Sequence, residues 1–229
     1  MANKLKHPAK YADSFLPAFA GMLKGCEKVY DPFGGTGKLA RIKDHGFSGK
    51  VYCCEIEPEW TSIEPDVDTW FIDDCAKTDY IQDNYFDAIC TSPTYGNRMA
   101  DHFNSKDKSH RITYKHYLGR DLNAENTGRM QWGNKYQAKH LECYAELRRV
   151  LKETGVFILN MSDHIRQGEL VKVVDWHKSV LMEMGFIVIE DLKVPTPRMG
   201  FGKNGKSRVD HERIVTFRDS GYKLQPTNF

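Results

Sequence analysis

The stretch Val29-Tyr30-Asp31-Pro32-Phe33-Gly34-Gly35-Thr36-Gly37-Lys38-Leu39-Ala40 sets glycines, a hydroxyl and a lysine behind an acid, the makings of a nucleotide-holding turn. Spacing excludes the phosphate loop G-x-x-x-x-G-K-[ST]. That pattern needs glycine where Pro32 stands and Ser or Thr where Leu39 stands, so its magnesium-binding hydroxyl is missing. The dinucleotide pattern G-x-G-x-x-G/A does fit Gly35 to Ala40, and Glu55 follows about twenty residues on, where a carboxylate reaches ribose hydroxyls. Asp31 weighs against a pyrophosphate. A carboxylate at the mouth of the turn repels phosphate and suits a ligand bearing an ammonium group, while Glu55 serves a ribose in either case.

These groups need a scaffold. Strand-like apolar runs recur at 28–33, 50–57, 69–74, 86–93, 155–162, 186–194 and 213–218, with helical stretches at 11–25, 37–46, 136–155 and 170–185. The last two helices carry apolar residues at i, i+3, i+4 and i+7 and are expected to stop at Gly155 and Gly185. Alternating strands and helices imply an α/β fold with a mostly parallel, doubly wound, seven-stranded sheet. At 229 residues, 40% hydrophobic and 28% charged, the chain is expected to form a single domain over 1–229.

The net charge of +2 gives no global argument for nucleic acid, so any basic footprint is local. No run approaches the roughly 18 apolar residues of a membrane helix, and the N-terminal stretch lacks a secretory core, so a cytoplasmic protein is expected. The six cysteines form no C-x-x-C pair and the nine histidines no ligand spacing; reduced buried thiols and no metal are the expectation. One segment breaks the rhythm. Residues 97–140 are polar, aromatic and basic, with nine Lys/Arg against four acids, giving +5 where the rest of the chain carries −3. An irregular insertion with aromatics among its cations, as on surfaces that track a nucleic-acid strand, reads as substrate-facing in preference to a solvated lid.

Thr91-Ser92-Pro93-Thr94-Tyr95-Gly96 leaves the fourth strand at its carboxyl end, the edge where ligands of open α/β sheets bind. This run resembles the (D/N/S)-P-P-(Y/F/W) motif of the S-adenosylmethionine (SAM) dependent amino-methyltransferases. Residues 7–19, holding Lys10 and Tyr11, look like that family's N-terminal cofactor motif. Asp31-Pro32-Phe33-Gly34-Gly35-Thr36-Gly37, Glu55-Ile56 and Asp74-Cys75 fall in its next three cofactor motifs, in order. The resemblance implies a Rossmann-like class I methyltransferase fold and SAM held by those residues, with Asp74 accepting from the adenine amino group. Cofactor motifs ahead of the catalytic one match the DNA N6-adenine and N4-cytosine group whose recognition elements come last. That arrangement occurs in phage and prokaryotic single-domain enzymes, including those of restriction-modification. One departure stands out: Thr94 replaces the second proline.

In that family's chemistry Ser92 Oγ and the Pro93 carbonyl would accept the protons of an exocyclic amine, and Tyr95 would stack on a flipped base. With Thr94 these are the catalytic candidates, and Ser at the first position leans toward cytosine N4. C5-cytosine chemistry needs a cysteine after proline, and no Pro-Cys dipeptide occurs. Double-stranded DNA is the implied partner, of a monomer or homodimer. Its contacts are expected from Asn97, Arg98, Arg111, Lys115 and Arg120 in the insertion, and from His164, Arg166 and Arg198 beyond it. RNA guanine amines or protein glutamine amides are the alternative acceptors; a non-catalytic binder rests on Thr94 alone.

Overall fold

The computed structural model describes residues 12–96, 114–196 and 208–221. Lys10, Tyr11, Asn97, Arg98, Arg111 and Arg198 lie outside them. Apolar runs fold as strands β1 (Lys28–Asp31), β2 (Lys50–Cys54), β3 (Thr69–Phe71), β4 (Phe86–Thr91) and β5 (Leu151–Met161). After these come β6 (His164–Arg166), β7 (Glu169–Val171), β8 (Phe186–Pro195) and β9 (His211–Asp219). The helices are α1 (Leu16–Met22), α2 (Tyr114–Leu118), α3 (Asn134–Val150) and α4 (Val173–Glu183).

Seven strands make one sheet in the order β3-β2-β1-β4-β5-β9-β8. The first five are parallel, and β9 runs antiparallel between β5 and β8. Both faces are covered, which is why the central strands read as unbroken apolar runs. Tyr30, Ile89, Phe157 and Leu159 pack with α3 and α4 on one face; Val29, Cys90, Val156 and Ile158 pack with α1 on the other. Among the described residues no helix is long and apolar enough to cross a membrane.

Two expectations change. The helix read as 136–155 ends at Val150, because Leu151 is buried and pairs with Phe86, drawing residues 151–154 into β5. Gly155 therefore sits inside a strand, beside the register shift between Phe86 and Ala88, and is no helix cap. Gly185, at φ +92°, does follow α4 as a left-handed terminator. Leu170 and Val171, read as helix, belong to the β6–β7 hairpin. Lys38–His45 winds tightly as a 3₁₀ segment between Gly37 and Gly46, both left-handed.

A candidate cofactor and catalytic cleft

The parallel strands end together, and their carboxyl edge opens into a cavity of about 370 Å³. Pro32, Phe33, Gly34, Gly35 and Thr36 form one wall, Glu55 and Ile56 the next, and Asp73, Asp74 and Cys75 a third; Ser92, Pro93, Thr94 and Tyr95 face them. The fold thus gathers residues from four strand ends that lie far apart in sequence.

Gly34 is dictated by contact: a Cβ there would come within 2.8 Å of Cys53 Cβ and 3.1 Å of the Cys54 carbonyl. Its N–H donates to that carbonyl at 2.8 Å, tying the turn to β2. Gly37 does not line the cavity; a Cβ on it would meet Val67 at 2.5 Å and Trp70 at 2.7 Å. Asp31 is also placed differently from the expectation of an acid at the mouth. Its side chain is fully buried behind the turn, accepting from the Thr91 hydroxyl at 2.6 Å and the Phe33 N–H at 3.2 Å. It fastens the glycine turn to the end of β4. Lys38 reaches the cavity wall, yet its ammonium pairs with Asp13 at 2.6 Å.

Glu55 Oε1 accepts from the Glu57 N–H at 2.9 Å. Burial pushes its carboxyl up to about 8; Glu57 adds repulsion, while the N–H groups of Glu57, Gly35 and Ile56 pull the other way. Asp74 accepts from the Ala76 N–H at 3.1 Å and from the buried Lys139 ammonium at 2.5 Å. Asp74, Cys75 and Cys143 are the one group among the described residues that brings three metal-type donors together, and Lys139 takes up the carboxylate charge there. The donor set fits SAM. Two carboxylates, Glu55 and Asp74, line one cavity with a turn whose Gly34 and Gly35 carry no side chain, leaving acceptors for hydroxyl and amino groups. Its two lysines are already paired with acids, so a pyrophosphate would find little to hold it.

The described part of the insertion closes over this cleft through Glu57, an acid 1% exposed. Glu57 Oε1 accepts from the Asn123 N–H at 2.7 Å and Asn126 Nδ2 at 2.9 Å, and Arg120 reaches Oε2 at 2.7 Å. Arg120 also forks onto Glu59 at 2.8 and 2.6 Å. Beside them Trp60, Tyr114 and Leu122 form a small apolar cluster. The guanidinium expected at DNA is thus spent holding the insertion to the loop after β2. Lys139 and Arg129 are spent similarly, Arg129 on the Leu122 carbonyl at 2.7 Å. Lys115 falls on α2.

Arg120→Ala should therefore lower stability by about 1–3 kcal/mol, since it strips the cation from a buried carboxylate. The salt dependence of DNA binding should not change. If Arg120 instead neutralised a DNA phosphate, its removal would cut that slope by about one.

Two other candidates lie outside the cavity wall. Arg166 donates to the Trp132 carbonyl at 3.2 Å and Gln131 Oε1 at 2.8 Å. His164 keeps both ring nitrogens buried without a hydrogen-bond partner, and burial lowers its pKa. Its neighbour Asp163 caps α4 through the Val174 N–H at 2.9 Å. Sequence reading did not single out Asn126, Thr127, Asn160 or Glu212, which also line the cavity. Asn160 and Glu212 sit at the same sheet edge as Ser92, but nothing local in the sequence pairs β5 with β9.

The family model for N6/N4 DNA methylases matches residues 86–228, more than half of the chain, beginning at β4 and including Ser92 to Tyr95. No curated protein matches the sequence. Solved structures do. The precorrin-6y C5,15-methyltransferase of Geobacter metallireducens superposes with a TM-score of 0.53 at 13% identity, over 96% of this chain and 92% of that one. The PH0226 protein of Pyrococcus horikoshii superposes with a TM-score of 0.53 at 15% identity, over 90% and 88%. At such identity these likenesses speak for the fold, that of the Rossmann-like class I methyltransferases. Fold, cleft and family match converge: the chain belongs to the N6/N4 DNA methylase family and is a methyltransferase whose cofactor is SAM.

Proposed function

We propose that the cleft methylates an exocyclic amino group of a DNA base, cytosine N4 or adenine N6, by direct transfer. The observation that carries this reading is that Ser92, Pro93, Thr94 and Tyr95 line the same cavity as the glycine turn and Glu55. SAM supplies an electrophilic methyl group on a sulfonium. Glu55 accepts the ribose hydroxyls, Asp74 the adenine amino group alongside Cys75 and Ile56, and Pro32 to Thr36 close over the rest. Asp31 acts from behind by holding that turn against β4.

An amine conjugated to a base ring is a poor nucleophile. Ser92 Oγ and the Pro93 carbonyl accept hydrogen bonds from its N–H groups, which would turn the nitrogen toward sp³ and aim its lone pair, and the proton freed by methylation passes to solvent. Tyr95 stacks on the flipped base, and Thr94 sets the loop between them. Asn97, Arg98, Arg111, Lys115, Arg166 and Arg198 are proposed as contacts to double-stranded DNA, and His164 as a neighbour of the target base. Residues 97–140 are proposed as an insertion in one domain, although 134–140 already belong to α3. Purified protein given methyl-tritiated SAM with plasmid DNA, tRNA and total protein should label the DNA. Label in tRNA or protein but not in DNA overturns the reading.

A further inference from the structure

Beneath Ser92 to Tyr95 runs a chain of hydrogen bonds for which the roles above have no use. The Tyr136 hydroxyl donates to the Thr94 carbonyl at 2.5 Å and lies 2.9 Å from His177 Nε2. On the far side of that ring, the Tyr144 hydroxyl lies 2.6 Å from Nδ1. Tyr136 and Tyr144 come from α3 and His177 from α4, and all three are fully buried. Burial holds both phenols well above their ordinary range. It holds the imidazole well below its own, with His140 adding to the effect, so all three groups are neutral.

Neutrality leaves one arrangement of protons. A carbonyl only accepts, so the single Tyr136 proton points at Thr94, and the Tyr136 oxygen accepts from His177 Nε2–H. Neutral imidazole carries one N–H, so Nδ1 is a lone pair and takes the Tyr144 proton. The Thr94 carbonyl, by committing the Tyr136 proton, thereby fixes the tautomer, and the Tyr144 hydroxyl satisfies Nδ1. With the proton on Nδ1 instead, Nε2 would compete with Thr94 for the Tyr136 hydroxyl.

We infer that Tyr144, His177 and Tyr136 form a positioning relay that fixes the peptide joining Thr94 to Tyr95 and so aims the Tyr95 ring into the cleft. The inference rests on the catalytic reading of that loop. The pinned carbonyl belongs to a planar unit, so holding its oxygen sets the plane from which Tyr95 departs. Two further ties brace the loop: the Thr94 hydroxyl donates to Thr127 Oγ1 at 2.9 Å, and Gly96 O accepts from the Trp132 N–H at 2.8 Å. Thr94 occupies the place of a second proline in the motif it resembles, and a proline ring would restrict the backbone by itself. Here buried hydrogen bonds supply that restriction.

Nitrogen-15 NMR of the histidine rings should show His177 as the single Nε2–H tautomer in the wild-type protein and in Tyr144→Phe, and as a mixture in Tyr136→Phe. An Nδ1–H form in the wild type overturns the relay whether or not the protein methylates DNA. In turnover, Tyr136→Phe should lower kcat about tenfold, the loss of one buried hydrogen bond felt in the transition state, with the Kd for S-adenosylhomocysteine unchanged. Thr94→Pro in the Tyr136→Phe background should restore most of that loss. An unchanged kcat in Tyr136→Phe, or a loss that Thr94→Pro does not repair, overturns the positioning role. A wild type inactive on every acceptor counts against the reading of the cleft, and the tautomer measurement then judges the relay separately.

Discussion

Tyr95→Ala is expected to reduce methyl transfer to DNA by about ten- to a hundredfold, the rate equivalent of the roughly 1–3 kcal/mol that base–aromatic stacking supplies. The ring is half-buried at the cavity wall, packed on the edge of the larger core cluster and one residue beyond the pinned Thr94 carbonyl. In the proposed role the ring would be held ready before a base arrives, and its stacking would not have to be assembled during the flip. The proposed cofactor contacts lie across the cavity, on the glycine turn and after β2 and β3. The Kd for S-adenosylhomocysteine should accordingly be unchanged in Tyr95→Ala, and Tyr95→Phe should keep the activity. Full activity in Tyr95→Ala refutes the stacking role, and equal loss of cofactor binding would show that the ring supports the cavity instead.

Glu55→Gln should weaken cofactor binding by about ten- to a hundredfold at pH 9, because hydrogen bonds to a charged acceptor are worth about 1.5–3 kcal/mol. The pH dependence gives this prediction its sign. Burial raises the Glu55 carboxyl to about 8, so in the free protein it is largely protonated at neutral pH. A ribose diol that donates to the carboxylate favours the ionised form and lowers that pKa on binding, with release of a proton. Affinity for S-adenosylhomocysteine should therefore rise with pH between about 6 and 8, approaching tenfold per unit, and level off above. Glu55→Gln removes the slope, and the two proteins converge toward acid. Isothermal titration in buffers of different ionisation enthalpy counts the proton directly. A wild-type affinity that is flat across this range, or that falls, contradicts the assigned role.

What could be read from the chain was what is local. The glycine turn is recognisable because Gly34 lies where backbone and side chains of β2 leave no room for a Cβ, a constraint written into single residues. Ser92 to Tyr95 is recognisable because a strand end and its loop are contiguous. The seven-stranded sheet followed from apolar runs buried on both faces. Misreadings arose where a distant partner decides. Leu151 to Thr154 continue a helical pattern, but pairing with β4 turns them into strand. Asp31 precedes the turn in sequence, yet a hydroxyl on another strand, Thr91, draws its carboxylate behind it. Arg120 counts as a free cation by composition, while Glu57 and Glu59, two strands earlier in the chain, neutralise it. The Tyr136–His177–Tyr144 chain lies deeper still. Tyr136, Cys143, Tyr144 and Leu147 show the spacing of a buried helical face, but nothing in that spacing names His177 as their partner.

Nucleoside mass spectrometry of unmodified DNA incubated with the purified protein and SAM identifies the methylated atom. N4-methylcytosine or N6-methyladenine is expected, formed only with active protein and about ten- to a hundredfold more slowly by Tyr95→Ala. The appearance of 5-methylcytosine, or DNA left unmodified while tRNA or protein takes up the methyl group, would contradict the proposed reaction.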